Sequence, residues 1–398
     1  MNTKEIIQKT DECVLGTYTR LPLAIKKGEG VFVYSPEGKK YLDFFAGLAV
    51  DNLGHGHSRI LKALNEQAQK LIHVSNLMYT EEQANLAEKL VSLSGLSKVF
   101  LCNSGTESLE AALKLARYSS IKAKGSNAYE IIACEDSFHG RSLGALSATM
   151  QEKYQTGFGP LVPGFVKAPY NDCPALETLV TKNTAAILLE PIQGEGGVRI
   201  PHPDYLTQVR KLCDDKKIYF ILDEVQTGIG RTGSLFAYEK NYEKNAMKPD
   251  ILCLAKGLGS GFPIGATLVN KNIADSITPG THASTFGGNA LASRIALETL
   301  NIISQKSFLL DVEKKGLYFL EGLKKIQKKK PLLKEIRGMG LMVAIELNEA
   351  RGKEIVQKCL EKGLIINTIQ NKILRFVPPL IVETTHIDEA LDILNQVL

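Results

Sequence analysis

The chain lacks the features that would assign it to several special classes of protein. Its seven cysteines are scattered over 398 residues without a Cys-x-x-Cys pair, which argues against both a disulfide framework and a zinc site. No apolar run approaches the ~18 residues of a membrane span, and charges interrupt the N-terminal segment where a signal peptide would need an apolar stretch. We therefore expect a cytoplasmic protein with reduced thiols and no membrane partner.

An excess of charge of one sign is also missing. The formal net charge is only +5, and the densest basic run, residues 324–330, contains no interleaved aromatic residue. Such a run is more typical of a solvated helix face than of a nucleic-acid surface. With 44% hydrophobic and 23% charged residues, the composition is that of an ordinary globular protein, and we expect no nucleic-acid partner.

The sequence does contain a series of short apolar runs separated by helical patterns. Between about residues 80 and 266 these runs are KVFLCN, YEIIACED, AAILLEPI, IYFILDEV and DILCLAKG. The pattern predicts an α/β domain whose mostly parallel sheet is covered on both faces. A hairpin is predicted at 28–44, around a Pro-Glu-Gly turn, and a smaller α+β unit after about residue 288.

A glycine-rich stretch at 228–233 matches the dinucleotide-binding pattern and follows a predicted strand. That pattern also needs an acid at the end of the next strand to hold the ribose. Here the next strand ends in Lys256, and its nearby acid, Asp250, lies at the other end. A nicotinamide-dependent oxidoreductase is therefore the less favoured alternative.

A second candidate anion site precedes the helical run ESLEAALKLAR. Ser104, Gly105 and Thr106 stand where free backbone N–H groups, hydroxyls and the helix dipole would converge on a phosphate. Taken alone, these residues and Asn103 are more typical of a plain helix N-cap than of a phosphate site.

Acidic residues end the strand IYFILDEV. Asp223 and Glu224 should reach the carboxyl edge of the sheet, where open α/β folds bind their ligands. A metal site is one possibility for such carboxylates, but companion ligands at a suitable spacing are missing. His55, His57 and His139 are interpreted as ordinary structural histidines, and no metal is predicted.

Lys256 interrupts the end of the apolar run DILCLAKG and is followed by several glycines. Pyridoxal phosphate needs a lysine for its Schiff base, an anion site for its phosphate and an acid beside its ring nitrogen. Lys256, the 104–106 turn and Asp223 meet these three requirements at strand ends of one domain. The sequence therefore predicts pyridoxal 5'-phosphate as the cofactor.

With these residues in place, the chain resembles the class III (ω-amino) aminotransferases over nearly its whole length. The shared motifs, in family order, are NSGTES, FHGRSLGALS, EPIQGEGGV, LDEVQTGIGRTG, LAKGLGSGFPIGA, HASTFGGN and LRFVPPL. The resemblance implies the pyridoxal-phosphate-dependent transferase fold type I. It also implies a large domain at 61–288 and a smaller α+β domain formed by both chain termini, 1–60 and 289–398.

The resemblance assigns cofactor roles to matching residues. Lys256 is expected to form the Schiff base and to act as the general base. Asp223 should pair with the pyridine nitrogen and Gln226 with the phenolic oxygen. Val225 and Phe138 should pack on the two faces of the ring.

The phosphate contacts follow the same pattern. Gly105 and Thr106 should bind the phosphate, together with Thr285 from a neighbouring subunit, so the resemblance implies a homodimer with shared sites. In this chain Ser108 and Leu109 replace the more usual alanine and a more polar residue, a departure that leaves the proposed phosphate contacts unchanged.

Two arginines suit an enzyme that binds two differently placed carboxylates. Arg141 resembles the arginine that binds the α-carboxylate of the amino donor and the distal carboxylate of 2-oxoglutarate, and Arg375 the one that binds the 2-oxoglutarate α-carboxylate. Glu195 resembles the carboxylate that pairs with Arg375 while the donor is bound. Glycines at 194, 196 and 197 would permit its movement.

The expected donor is N2-acetyl-L-ornithine. Leu48 occupies a position where ornithine-specific members of the family carry a tyrosine, so a free α-amino group would lack a partner there. Ser284 resembles a donor contact of the acetylornithine branch, and Tyr18 is shared by several branches. Succinylornithine, succinyl-diaminopimelate, ornithine and 4-aminobutyrate stay open as donors, and a catalytically silent interaction protein is disfavoured by the intact set of site residues.

Overall fold

A computed structural model of the chain describes residues 1–125, 127–240 and 247–398. Its α-helices are α1 (Thr3–Cys13), α2 (Ala46–Ala49), α3 (Ser58–Lys70), α4 (Glu81–Ser94), α5 (Gly105–Lys124), α6 (Leu143–Ala148), α7 (Glu152–Gln155), α8 (Cys173–Leu179), α9 (Tyr205–Lys216), α10 (Lys271–Ser276), α11 (Ala290–Ile303), α12 (Lys306–Gln327), α13 (Gly352–Glu361) and α14 (Thr384–Val397). Its strands are β1 (Lys27–Glu29), β2 (Phe32–Tyr34), β3 (Lys40–Asp43), β4 (Lys98–Cys102), β5 (Glu130–Cys134), β6 (Phe165–Ala168), β7 (Thr184–Leu189), β8 (Tyr219–Asp223), β9 (Ile251–Leu254), β10 (Gly265–Val269), β11 (Leu333–Met339), β12 (Met342–Leu347), β13 (Leu364–Ile365), β14 (Asn367–Ile369) and β15 (Ile373–Phe376).

The central sheet has the strand order β4-β10-β9-β8-β7-β5-β6. All of its pairings are parallel except those of β10, which runs antiparallel to β4 and β9. Successive residues of β8, Ile221 and Leu222, belong to two different apolar clusters, and so do Ile251 and Leu252 of β9. Both faces of the sheet are therefore covered, which confirms the predicted strands and the predicted α/β domain.

Helix α5 begins directly after β4 because Ser104 caps it. The Ser104 hydroxyl accepts a hydrogen bond from the backbone N–H of Glu107 at 3.2 Å, which satisfies one of the free donors of the first turn. Leu109, Ala112 and Leu113 are buried along one side of the helix, in the cluster that covers one face of the sheet. This packing holds the N-terminus of α5 beside the carboxyl ends of β8 and β9.

Segments from the two ends of the chain share a sheet. Strand β13 pairs in parallel with β3, Leu364 lying opposite Leu42, in the order β1-β2-β3-β13. The antiparallel pairing of β2 with β3 confirms the predicted hairpin, and a further sheet has the order β11-β12-β15-β14. The division at residues 60 and 288 stays a prediction, which this pairing of the termini supports.

The short element α2, which follows β3, is a single left-handed turn, because all four of its residues have positive φ angles. The φ angles of Ala46, Gly47, Leu48 and Ala49 are 47°, 61°, 72° and 60°, a conformation that L-residues other than glycine rarely adopt. The Asp43 carboxylate holds the turn, because its Oδ1 accepts the N–H groups of residues 45 and 46 at 2.9 and 2.8 Å. The turn therefore stores backbone strain.

The 228–233 stretch forms turns and no helix starts there, so it lacks the helix N-terminus that binds a dinucleotide phosphate. Its Arg231 side chain is fully buried. The guanidinium donates to the carbonyls of Leu341, at 3.1 Å, and Pro378, and to Asn52 Oδ1 at 2.7 Å. Burial lowers the pKa of Arg231 to about 9. The stretch therefore joins the central sheet to the C-terminal part of the chain.

In the part of the chain that the structure describes, no helix is both long and apolar enough to cross a membrane. Within the same residues, no group of three or more His, Cys, Asp or Glu side chains is arranged to hold a metal ion. All seven cysteines are free thiols.

Candidate active site

Lys256 lies at the carboxyl end of β9, in a 3-10 turn that spans Lys256–Leu258. Its φ angle of 36° is unusual for a residue with a side chain. The next residue, Gly257, has to be small, because a Cβ at this position would collide with the side-chain amide of Asn52. Although Lys256 keeps some surface open to the site, desolvation lowers its pKa to about 8, with Glu195 opposing the shift. The amine is thus far easier to deprotonate than an exposed lysine.

Asp223 ends β8 and is almost fully buried. Its Oδ2 lies 2.8 Å from His139 Nδ1, and its Oδ1 accepts the backbone N–H of Val225 at 3.0 Å. His139 is also buried, and its Nε2 has no hydrogen-bond partner among the described residues. His139 thus has a structural role beside the predicted site, because its side chain fixes the carboxylate of Asp223.

A second buried carboxylate, Glu190, lies at the same edge of the sheet, directly after β7. Its oxygens accept the backbone N–H groups of Phe138 at 3.2 Å and Gly194 at 3.1 Å. Burial, opposed by His139 and reinforced by the neighbouring Asp223, raises the pKa of Glu190 to about 7. Glu190 is not among the residues predicted from the sequence, although its position at the end of the apolar run AAILLEPI was an available signal.

Glu195 and Arg375 form an ion pair, with Oε1 2.6 Å from Nη1. Arg375 lies on β15 and is 1% exposed; it also donates to Gln226 Oε1 and to Asn367 Oδ1, both at 3.2 Å. Burial opposes the ionisation of Glu195, but the charges of Arg375 and Lys256 outweigh it, so the pKa of Glu195 is lowered. The charges of Glu195, Arg375 and Lys256 therefore interact electrostatically within one site.

The N-terminus of α5 packs tightly on the segment after β8. A Cβ at Gly105 would lie 2.7 Å from Val225 Cγ1, so only glycine fits without displacing that side chain. Thr106 Oγ1 lies 2.8 Å from Ser142 Oγ, which donates to Glu110 Oε1 at 2.6 Å. The predicted anion site therefore adjoins the segment that carries Asp223.

Phe138 and Arg141 follow β5 and meet at the ring of Tyr154. The Arg141 guanidinium carbon lies 5.5 Å from the centroid of the Phe138 ring and 4.2 Å from that of Tyr154. Phe138 and Tyr154 meet edge to face, with ring centroids 5.5 Å apart. Arg141 itself is exposed.

The segment that contains Leu48 lies against the Lys256 turn. Beyond the left-handed turn, the backbone N–H of Leu53 donates to Ser260 Oγ at 2.9 Å, and Asn52 packs on Gly257. Leu48 is half-buried.

Three predicted residues lie apart from the cluster around Lys256. Tyr18 is 74% exposed, and Thr285 is exposed as well. Within the described ranges, no hydrogen bond or ion pair joins either of them to that cluster. Ser284 Oγ accepts from Asn103 Nδ2 at 3.3 Å, and Ser284 and Thr285 line a cavity of about 310 Å³ that also reaches Glu107.

The arrangement fits the demands of pyridoxal phosphate. Lys256 supplies an easily deprotonated amine, and Asp223 supplies a buried carboxylate held in position by His139. The start of α5 supplies backbone N–H groups beside the hydroxyls of Ser104 and Thr106. These are the amine, acid and anion-binding groups that the cofactor requires.

The chain matches known proteins over its full length. The model of the aminotransferase class-III family matches residues 16–398. An acetylornithine aminotransferase from Caldanaerobacter subterraneus subsp. tengcongensis is 53% identical over 386 residues, which cover 97% of each chain.

Solved structures agree with this match. The acetylornithine aminotransferase of Elizabethkingia anophelis is 37% identical with a TM-score of 0.89, covering 100% of this chain and 99% of that one. The ornithine aminotransferase of Toxoplasma gondii ME49 is 34% identical with a TM-score of 0.95, covering 100% and 95%. These likenesses confirm the predicted fold type I, and the oxidoreductase alternative is wrong. The chain therefore belongs to the class-III aminotransferase family.

Proposed function

We propose that the protein transfers the δ-amino group of N2-acetyl-L-ornithine to 2-oxoglutarate, forming N-acetyl-L-glutamate 5-semialdehyde and L-glutamate in arginine biosynthesis. The observation that carries this proposal is the Glu195–Arg375 ion pair beside Lys256. One carboxylate-binding arginine is neutralised there while a second, Arg141, stays exposed. That difference suits an enzyme whose two substrates carry carboxylates at different distances from the reacting carbon.

Class-III aminotransferases use pyridoxal 5'-phosphate. When bound, the cofactor supplies an aldehyde for amine exchange and an electron-withdrawing ring. Lys256 would hold the aldehyde carbon, Asp223 the ring nitrogen, and Ser104, Gly105 and Thr106 the phosphate.

The remaining cofactor contacts come from both sides of the site. Val225 and Phe138 would pack on the ring faces, and Gln226 would bond the phenolic oxygen. His139 holds Asp223 Oδ2 at 2.8 Å, which fixes the orientation of the carboxylate. An ionised Asp223 favours a protonated ring nitrogen, because opposite charges stabilise one another where water is excluded.

Lys256 is proposed to move the proton. With a pKa near 8, a substantial fraction of its side chain is neutral at moderately alkaline pH, and a neutral amine can accept a proton. Lys256 Nζ would take the proton from the amino-bearing carbon of the donor. It would later return a proton to the α-carbon of the glutamate product.

We propose that the two arginines allow one site to bind either substrate, because they bind carboxylates at different positions. Arg141 would bind the α-carboxylate of the donor while Glu195 keeps Arg375 neutralised, so a donor with one carboxylate fits. When 2-oxoglutarate enters, Glu195 would leave Arg375, which then binds the α-carboxylate, and Arg141 would bind the distal one. Arginine suits both tasks because its planar fork donates two parallel hydrogen bonds to a carboxylate.

The choice of donor rests on Leu48 and on the relatives. An apolar Leu48 offers no hydrogen-bond partner to a free α-amino group, and an acylated nitrogen needs none. Both the relative at 53% identity and the solved structure at 37% identity are named acetylornithine aminotransferases. Ser284 and Tyr18 would complete the donor site.

A homodimer and a cytoplasmic location are part of the proposal. Three large apolar side chains are mostly exposed to solvent, namely those of Leu77, Tyr79 and Phe286. Phe286 is next to Thr285 in the chain. Apolar groups exposed at this level are typical of surfaces that pack against another chain. Thr285 would then reach the phosphate of the partner's site. The free thiols fit a reducing compartment.

The test is the visible absorbance of the purified protein with bound cofactor, recorded in the absence of 2-oxoglutarate. N2-acetylornithine should convert the bound cofactor rapidly, and ornithine should do so slowly. Faster conversion by ornithine would refute the proposed donor and leave an aminotransferase. Failure to bind pyridoxal phosphate would refute the proposed role of Lys256.

A further inference from the structure

The two site arginines are held in different ways. Arg375 is buried and ion-paired with Glu195. Arg141 is exposed, and among the described residues its guanidinium forms no hydrogen bond or ion pair. Its contacts are with two rings, those of Tyr154 at 4.2 Å and Phe138 at 5.5 Å.

Tyr154 is fixed in place by the short helix that carries it. Gln151, which precedes α7, donates to two carbonyls of 136–137 at 3.0 and 3.1 Å. Gln155, at the end of α7, donates to carbonyls within 146–149 at 3.2 and 2.9 Å. Both ends of α7 are thus bound to the chain on either side of Arg141.

The edge-to-face contact with Phe138 restricts the Tyr154 ring further. The ring planes meet at 79°, a favoured arrangement because the positive edge of one ring faces the negative face of the other. The Tyr154 ring is therefore held in place beside the exposed side chain of Arg141.

A guanidinium that stacks on an aromatic ring keeps its in-plane N–H donors free. We propose that Tyr154 is a positioning residue for the donor carboxylate, because its ring holds Arg141 in one orientation without occupying its hydrogen-bond donors. An acidic partner would hold Arg141 equally well but would compete with the substrate carboxylate. The proposal rests on the proposed function, in which Arg141 binds a carboxylate of each substrate.

Two variants distinguish the contribution of the aromatic ring of Tyr154 from the contributions of its hydroxyl and of its apolar volume. Tyr154→Phe keeps the stacking surface, and Tyr154→Leu keeps apolar volume without the aromatic face. The probe is glutarate, a dicarboxylate without an amine or keto group, titrated by calorimetry into the protein with its cofactor bound. We expect Tyr154→Leu to weaken glutarate binding roughly two- to fivefold, the range of an exposed cation–π contact. Tyr154→Phe should bind glutarate as the unchanged protein does.

Turnover gives a second readout. In Tyr154→Leu the KM for N2-acetylornithine should rise by a similar factor with kcat nearly unchanged, since the interaction is made equally in the ground and transition states. Equal glutarate affinity in Tyr154→Leu and the unchanged protein would overturn the proposal. Equal weakening in Tyr154→Phe would also overturn it, because the ring would then not be responsible.

The binding experiment requires no turnover, so failure of the proposed role of Tyr154 can be told apart from failure of the proposed donor. If the unchanged protein binds glutarate but does not convert N2-acetylornithine, the proposed donor is wrong and the glutarate titrations still decide the role of Tyr154. Thermal unfolding of each variant identifies a loss of binding that comes from misfolding. Tyr154→Phe, which differs by one hydroxyl, is the folded reference.

Discussion

The Glu195 carboxylate lies 2.6 Å from the Arg375 guanidinium, and the Arg375 side chain is only 1% exposed. Two opposite charges so close together, and largely shielded from water, neutralise each other's field within the site. The ion pair therefore controls whether Arg375 is available to a substrate carboxylate.

Replacing Glu195 with glutamine should shift donor preference toward glutamate. Gln keeps the shape but not the charge, so Arg375 would be free to bind an α-carboxylate in both half-reactions. The ratio of kcat/KM for glutamate to that for N2-acetylornithine should rise roughly tenfold, since a hydrogen bond to a charged group contributes about 1.5–3 kcal/mol. Glu335→Gln, which alters an exposed carboxylate paired with Arg337, is the matched control and should leave the ratio unchanged. An unchanged ratio in Glu195→Gln would contradict the proposed gating.

Lys256→Met should abolish turnover and alter the pH dependence of stability. The folded-state pKa of Lys256 is about 8, below its usual 10.5, so the unfolded chain binds more protons between these pH values. The free energy of unfolding of the cofactor-free protein should therefore rise with pH over that window, relative to Lys256→Met. Below pH 8 the destabilising contribution of the lysine is fully present. It amounts to about 1.4 kcal/mol per unit of separation between the two pKa values.

The measurement is urea unfolding of both proteins from pH 7 to 10. Taking the difference between the two proteins removes the contributions of other titrating groups. A difference that stays constant over this range would show that the pKa of Lys256 is not lowered.

Leu48→Tyr should increase the use of unacetylated ornithine. The new hydroxyl would offer a partner to the free α-amino group, and a buried hydrogen-bonding group can change discrimination strongly. Tyrosine should tolerate the left-handed backbone about as well as leucine, because neither is β-branched. The kcat/KM ratio of ornithine to N2-acetylornithine is expected to rise at least fivefold, a gain of about 1 kcal/mol. Leu48→Phe supplies the ring without the hydroxyl and should not change the ratio in this direction.

Gly105→Ala should weaken the binding of pyridoxal phosphate. A Cβ at this position would lie 2.7 Å from Val225 Cγ1, and the stiff valine would be pushed into the proposed ring position. The cofactor dissociation constant, measured by absorbance titration, should increase roughly tenfold, in line with overpacking costs of about 1–3 kcal/mol. Adding Val225→Ala makes room for the new methyl group. Because Val225→Ala also removes a proposed ring contact, Val225→Ala alone is the reference. If Gly105→Ala weakens binding as much in that background as in the unchanged protein, the clash is not the cause.

Local sequence patterns predicted the central sheet well. The strand at Ile251–Leu254 is buried at every position, and a continuous apolar run that ends at a lysine is sufficient to identify both the strand and the candidate nucleophile. Asp223 is predicted as a site residue for the same reason, because a charged residue at the end of an apolar run is conspicuous.

Other site residues could not be predicted because their roles depend on contacts between distant segments. His139 and Asp223 are 84 positions apart, and nothing in SFHGR indicates that the histidine faces the aspartate. Tyr154 lies on a helix of four residues, too short for a helical pattern to show. The left-handed turn at Ala46–Ala49 contains a single glycine. Asp43 bonds residues 45 and 46 at the spacing of an Asx turn, but that signal does not indicate that four left-handed residues follow.

Arg231 joins two parts of the molecule through acceptors that only the folded chain brings together. Its guanidinium is fully buried and donates to the carbonyls of Leu341 and Pro378 and to the side-chain oxygen of Asn52. If the C-terminal sheet separated from the central one, the charge would lose these acceptors at once, at a cost of several kcal/mol. A half-open species should consequently be too scarce to detect. Heat should therefore melt the two sheets together in one cooperative step, with no separate transition for the C-terminal sheet in calorimetry.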